Sequence, residues 1–197
     1  MKEDFKYIRE NFLLLPYAVG VIDFKEDVLV DIYNKLRDED LYSVVFHDNP
    51  KQTLNQFISF FSSPLVALSF FVYLDNGIEV PAGMCWLTDI VSSDNVIKKA
   101  QGSFVFFKEF QSPRYTTPFR EIGLDFWFNR LNVDIVTGLT PSDNRPALIF
   151  NKRAGFKEIG RIPNFTLLFG KPCHGVVTYL DKVTFNRSQE SPYGIGE

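Results

Sequence analysis

Apolar positions recur along this chain with two periods, and the switch between them lays out the elements. Over residues 23–36 they fall three and four apart. Val28, Ile32 and Leu36 share one line, Leu29 and Tyr33 lie beside it, and acids come early, which predicts an amphipathic helix. A second helix is predicted to open at Asn49-Pro50, turn Leu54, Phe57, Ile58 and Phe61 inward, and close at Ser62-Ser63-Pro64. The period then changes. Residues 66–74 are rich in aromatic and β-branched side chains, Asp75-Asn76-Gly77 supplies the positive φ angles of a tight turn, and residues 78–87 return, predicting a hairpin. Pro81 cannot donate to a ladder and predicts an irregular or bulged position in the return strand. Ahead of all this, Phe12-Leu13-Leu14-Leu15 before Pro16 reads as a short strand or a docking segment.

In the second half, polar Ser92-Ser93-Asp94-Asn95 leads to a strand over residues 103–108. Pro118 behind Thr117 predicts the start of a helix over residues 119–131, with Ile122, Phe126 and Leu131 inward and Gly123 allowing close approach to a sheet. Residues 133–139 form the next strand. A helix follows from Asn144, with Pro146 in its first turn and Gly155 as its left-handed stop, and Ala147, Phe150 and Ala154 recur at helical spacing. A last hairpin is expected from residues 165–169 and 176–180 around a loop at 170–175. Residues 181–197 are polar and read as a tail. The expectation is one domain over residues 1–180, with no repeat or linker to divide it.

Composition narrows the class. With 197 residues, 45% of them hydrophobic and 21 of them Phe, there is ample material for one core. A formal charge of −3 without a basic run argues against nucleic acid as the main partner. The longest apolar run, residues 65–74, falls short of the roughly 20 residues a spanning helix needs, and Met1-Lys2-Glu3-Asp4 is not a secretory leader. No membrane is expected as a partner, and a cytoplasmic protein is the reading. Two cysteines, Cys85 and Cys173, give neither a disulfide framework nor a metal spacing. His47 and His174 add no zinc-like set, and no Walker turn, dinucleotide turn or nucleophile elbow is present.

The stretch Asn144-Arg145-Pro146-Ala147-Leu148-Ile149-Phe150-Asn151-Lys152-Arg153-Ala154-Gly155-Phe156 resembles the acyl-CoA-binding end of the GNAT acetyltransferase superfamily. The order of elements over residues 19–180 resembles that family too. The resemblance implies an α/β (α+β) fold: a mixed, mostly antiparallel central sheet flanked by helices, with two parallel strands splayed around a cofactor cleft. It implies acetyl-CoA as cofactor and direct acyl transfer to an amine carried by a small molecule or a protein. The cofactor would meet the strand residues Phe106 and Phe107, the loop Ser112, Arg114, Tyr115, Thr116 and Thr117, and the helix residues Asn144 and Asn151. Glu109 and Asp89, at strand ends, are the candidates for the proton acceptor; solvated strand-end acids are the alternative for both.

The chain also departs from the family. Where members carry a Gln/Arg-x-x-Gly-x-Gly/Ala turn, it reads Ser112-Pro113-Arg114-Tyr115-Thr116-Thr117. Tyr115 and Thr117 stand in for glycines, and Pro113 has no amide hydrogen for a phosphate. Arg114 and the hydroxyls of Ser112, Thr116 and Thr117 are then the substitute donors, or else Thr117 is a helix cap and Arg114 a solvated charge. Asn151 stands where members have a Tyr that protonates the departing thiolate, and a carboxamide cannot act as a general acid. Asn144 suits both a helix cap and a bond to the pantetheine arm. Lys152-Arg153 suits both a ribose phosphate and the helix dipole. Both absences are similar to those in GNAT-like internal virion or assembly proteins of short-tailed phages. That resemblance implies the alternative of a non-catalytic protein with virion or assembly partners, packaged in or assembled on a phage particle.

Overall fold

The computed structural model describes residues 7–17, 26–47, 50–94, 96–168 and 170–190. Among these residues eight strands form a single sheet in the order β1-β2-β3-β4-β5-β6-β8-β7. These are β1 Tyr7–Arg9, β2 Phe12–Tyr17, β3 Ala67–Asp75, β4 Ile78–Ser93, β5 Val96–Phe106, β6 Val133–Pro141, β7 Lys157–Leu168 and β8 Lys171–Asp181. Every neighbouring pair is antiparallel except β5 and β6, which run parallel. Among the described residues six α-helices complete the fold: α1 Glu26–Asp38, α2 Tyr42–Val45, α3 Leu54–Phe61, α4 Pro113–Asp125, α5 Arg145–Arg153 and α6 Lys182–Glu190, with a short 3-10 helix at Lys108–Phe110 and a π-helical turn at Phe126–Arg130. This is the mixed, mostly antiparallel architecture that the resemblance implies.

The β3–β4 hairpin forms at the expected turn, with Asn76 and Gly77 at φ 51° and 84°. The irregular position expected at Pro81 is a bulge: Phe71 pairs with Gly83 and Val72 with Pro81, leaving Ala82 unmatched. Gly83, at φ 154°, lets β4 press on β5, since a Cβ there would lie 2.2 Å from the Val105 carbonyl oxygen. Gly123 has the close approach expected of it, where a Cβ would come within 2.9 Å of the Phe104 ring.

Several boundaries differ. Strand β5 starts seven residues ahead of the predicted 103 and β4 runs on to Ser93; the end of β4 is mostly exposed, and in the start of β5 Lys98, Lys99 and Gln101 interrupt the apolar residues, so neither stretch shows a clear alternation. Helix α3 opens at Thr53, whose hydroxyl accepts the Gln56 amide while Gln56 answers to the Thr53 amide, a capping box that outweighs Pro50 as a start signal. Asn49, residues 23–25, Asn95, Phe169 and residues 191–197 lie outside the described residues. Strand β7 begins directly after Phe156, and β8 begins at Lys171, so the expected loop 170–175 is mostly strand. The supposed tail opens with α6, which seats Phe185 against Phe128 with ring centroids 5.1 Å apart. Asp181 holds that helix start, accepting the Thr184 amide at 2.8 Å and its hydroxyl at 2.7 Å.

The core is unusually aromatic. Phe57, Phe61, Phe71, Phe119, Trp127 and Phe128 have no exposed surface. Ring edges meet ring faces through much of it, the geometry that aromatic quadrupoles favour. No helix among the described residues is long and apolar enough to cross a membrane.

Candidate active site

Strands β5 and β6 pair only from Ile97–Val133 to Gln101–Thr137. Beyond that point β5 stays with β4, Gly102 opposite Leu87 through Phe106 opposite Gly83, while β6 stays with β8, Gly138 opposite Thr178 through Pro141 opposite Gly175. The strands therefore part, and packing props the opening. Trp127, fully buried, fills the crotch: a Cβ on Gly102 would lie 2.7 Å from its ring. From α5, Phe150 reaches across to Phe104 and Phe106, at 5.3 and 5.8 Å between centroids.

The opening is a cleft of about 620 Å³ walled by Phe104 and Phe106 of β5, Thr116, Thr117 and Arg120 of α4, and Asn144, Ala147, Phe150 and Arg153 of α5. A second cavity of about 120 Å³ adjoins it, sharing Phe104, Asn144, Ala147 and Phe150, and adding Ser103, Thr140, Asn151 and His47. The larger space is within the range of small-molecule sites, largely apolar with a few convergent polar groups.

Those polar groups are held in place. Asn144 caps α5, its side-chain oxygen accepting the Ala147 amide at 3.3 Å, which leaves its NH2 as a donor. Asn151 donates to the Thr140 hydroxyl. Gln111 donates to the Phe106 carbonyl at 3.0 Å, on the strand that has lost its β6 partner. His47 follows α2, its ring edge-on to Phe165 at 5.3 Å and its carbonyl accepting the Thr166 hydroxyl at 3.2 Å. The Arg120 guanidinium lies 5.8 Å from the Phe150 ring centroid. Burial lowers its pKa, Glu121 opposes that shift, and the charge of Arg153 adds to it.

The residues expected from the sequence divide sharply. Phe106, Thr116, Thr117, Asn144 and Asn151 line the two cavities. Helix α4 starts at Pro113, not near Pro118, so residues 113–117 are its opening turns rather than a loop, and Thr117 is not its cap. Both prolines suit a first turn; the earlier one takes that place, and Pro118 lies within the helix. Ser112 and Arg114 are exposed and off the walls, with Arg114 5.3 Å above the Tyr115 ring. Tyr115 turns away from the opening and packs edge-on against Tyr73 and Phe110, at 5.2 and 5.1 Å. Phe107 is buried beneath the Lys35 ammonium at 4.4 Å.

The two acids lie elsewhere. Glu109 sits in a short 3-10 helix, Lys108–Phe110, and its carboxylate is drawn to Lys35 at 2.8 Å. Asp89 is exposed, at φ 49° in the irregular stretch of β4 between Thr88 and Val91. Neither is on a wall of either cavity. Cys173 and His174 are consecutive strand residues, one buried and one exposed, and so point to opposite faces. No cluster of three metal-ligating side chains occurs among the described residues. Sequence reading missed His47, Gln111 and Arg120 as wall residues. For Arg120 a signal existed, since it follows Thr116 and Thr117 at four and three residues and so shares their helix face.

No family model and no curated protein matches this chain. Its structure is similar to solved acetyltransferases. Spermidine N-acetyltransferase from Vibrio cholerae, in complex with CoA and spermine, superposes with a TM-score of 0.71 at 14% identity, over 88% of this chain and 98% of that one. A dodecameric structure of the same enzyme gives 0.70 at 16%, over 91% and 99%. The fold is that of the GNAT acetyltransferases.

Proposed function

We propose that this chain is an acyl-CoA-dependent N-acyltransferase that moves an acyl group directly onto a small-molecule amine. The observation that carries the reading is the parting of β5 and β6 beyond Gln101–Thr137 around a cleft that runs into a smaller inner cavity. The residues fit an acyl-CoA: an apolar floor at Phe104, Phe106 and Phe150, the Asn144 NH2 for a pantetheine amide, and positive charge at the mouth. Spermine, bound by the Vibrio cholerae neighbour, is itself an amine.

When bound, the thioester supplies an activated acyl carbon and a thiolate leaving group. Asn144 and Gln111 hold the arm along the unpaired reach of β5. His47 is the one ionisable side chain on the wall of the inner cavity among the described residues, and it takes the amine proton as the new C–N bond forms. Asn151 and Thr140 orient the acyl end by hydrogen bonds. Glu109 and Asp89 have no part in this reading.

Isothermal titration with acetyl-CoA tests it. Micromolar binding, weakened by Asn144→Ala and left alone by Glu109→Gln, supports the assignment; no heat at millimolar ligand rejects it. In turnover assays His47→Gln should lower kcat with little change in KM for acyl-CoA.

A second reading, a non-catalytic GNAT-fold protein that serves virion or assembly partners, draws on the start of α4. Pro113 has no amide hydrogen, and the amides of Tyr115 and Thr116 both turn to the Ser112 carbonyl at 3.0 Å, so the backbone offers little to a phosphate. Absence of acetyl-CoA binding would favour it.

A further inference from the structure

Two arginines face the cleft, and among the described residues a single carboxylate, that of Asp143, shares its walls with them. Arg120 follows Thr116 and Thr117 on the inner face of α4, and Arg153 closes the last turn of α5 on the opposite wall. Among the described residues neither guanidinium is in an ion pair. They are near enough that the charge of Arg153 depresses the pKa of Arg120, on top of the larger effect of burial and against the opposing effect of Glu121. Arg120 is partly buried and Arg153 exposed, so the two like charges meet at the edge of the cleft, where an anion would relieve their repulsion. Asp143 shares the wall and, like Arg153, is exposed, and it accepts the Ser142 hydroxyl at 3.2 Å; two guanidiniums against one carboxylate leave the balance of charge there positive.

The usual place for a phosphate in such a cleft is a helix start, where free amides converge. In this chain that place is spoiled by Pro113 and by the two amides bound to Ser112. We propose that Arg120 and Arg153, helped by the hydroxyls of Thr116 and Thr117, hold the diphosphate of a nucleotide-linked ligand in place of backbone amides. Guanidinium forks match phosphate oxygens two at a time, so side chains replace what the helix start has lost. The identity of the ligand as CoA rests on the proposed transferase reading; the anion site does not.

The test is calorimetric titration of the full chain with CoA, ADP and pantetheine. Arg120→Gln and Arg153→Gln should each weaken CoA on the order of ten-fold, the loss of one charge-assisted contact, and weaken ADP in step. Pantetheine, which has no phosphate, should be unaffected. Arg120→Lys keeps the charge without the fork and should fall between, which separates lost recognition from lost folding; melting temperature is followed in parallel. CoA binding unchanged in the folded double variant overturns the arginine site and leaves the transferase reading standing. Arginine-dependent ADP binding without CoA binding keeps the anion site and removes the transferase reading. A wild-type chain that binds neither CoA nor ADP overturns both.

Discussion

The side-chain amide of Asn151 donates to the hydroxyl of Thr140 at 3.2 Å, tying α5 to β6 just past the point where β6 leaves β5. The bond pins the helix across the mouth of the inner cavity. Asn151→Ala should cost about 1 kcal/mol, the net worth of one such bond, seen as a lower melting temperature. If Asn151 orients the acyl end, the variant lowers kcat more than it raises KM for acyl-CoA; an equal effect on both would assign it to the scaffold.

Gly83 is required by backbone, not by a flexible neighbour. A Cβ at this position meets the Val105 carbonyl oxygen at 2.2 Å, and φ 154° is itself unsuited to a side chain. Gly83→Ala should therefore cost about 2–3 kcal/mol through forced strand separation, read from urea unfolding. Gly77→Ala, with nothing within 4 Å, should cost less, its penalty being the positive φ alone.

Acid should loosen α6 first. Burial on its own would raise the Asp181 pKa, but hydrogen bonds from the Thr184 amide and hydroxyl, with Lys157 adding, bring it below the ordinary value. A carboxyl lowered in the folded state adds stability that is present above its unfolded pKa of about 4 and is lost as pH falls through the folded value. Amide exchange in α6 should accelerate below about pH 4 in the wild type. Asp181→Ala should cost about 1 kcal/mol at neutral pH and abolish that acid step.

Both cysteines should be silent toward thiol reagents in the native state. Cys85 and Cys173 are buried, and burial pushes the Cys85 thiol well up, away from the reactive thiolate. Labelling with a disulfide reagent should track unfolding by denaturant; rapid labelling of the native protein would contradict the packing.

What could be read from the sequence was whatever local chemistry determines. Asn76-Gly77, the bulge at Pro81 and the span from Asn144 to Gly155 each follow from backbone preferences within a few residues, and each formed as expected. The choice between Pro113 and Pro118 could not be made locally, because both suit a first turn and the residue that ties down the earlier start, Tyr115, packs on the distant Tyr73 as well as on Phe110. The Thr53–Gln56 box was present in the sequence and was overshadowed by Asn49-Pro50. Residues 157–164 are exposed throughout, so β7 has no alternation to betray it. The site was harder. His47, Gln111 and Arg120 lie on three separate segments, and only the folded chain brings their side chains around one opening.

The outer rim of the sheet is a case of restraint. Among the described residues strand β7 has one hydrogen-bonded neighbour and carries exposed Ile159 and Ile162, the makings of a template for edge-to-edge polymerisation. Its ladder to β8 breaks between Ile162 and Thr166, with Asn164 at φ 48°, and Lys157 and Arg161 stud the rest. A rim so bent and so charged gives an incoming strand no long straight run to zip along, which works against the addition of another strand at this edge.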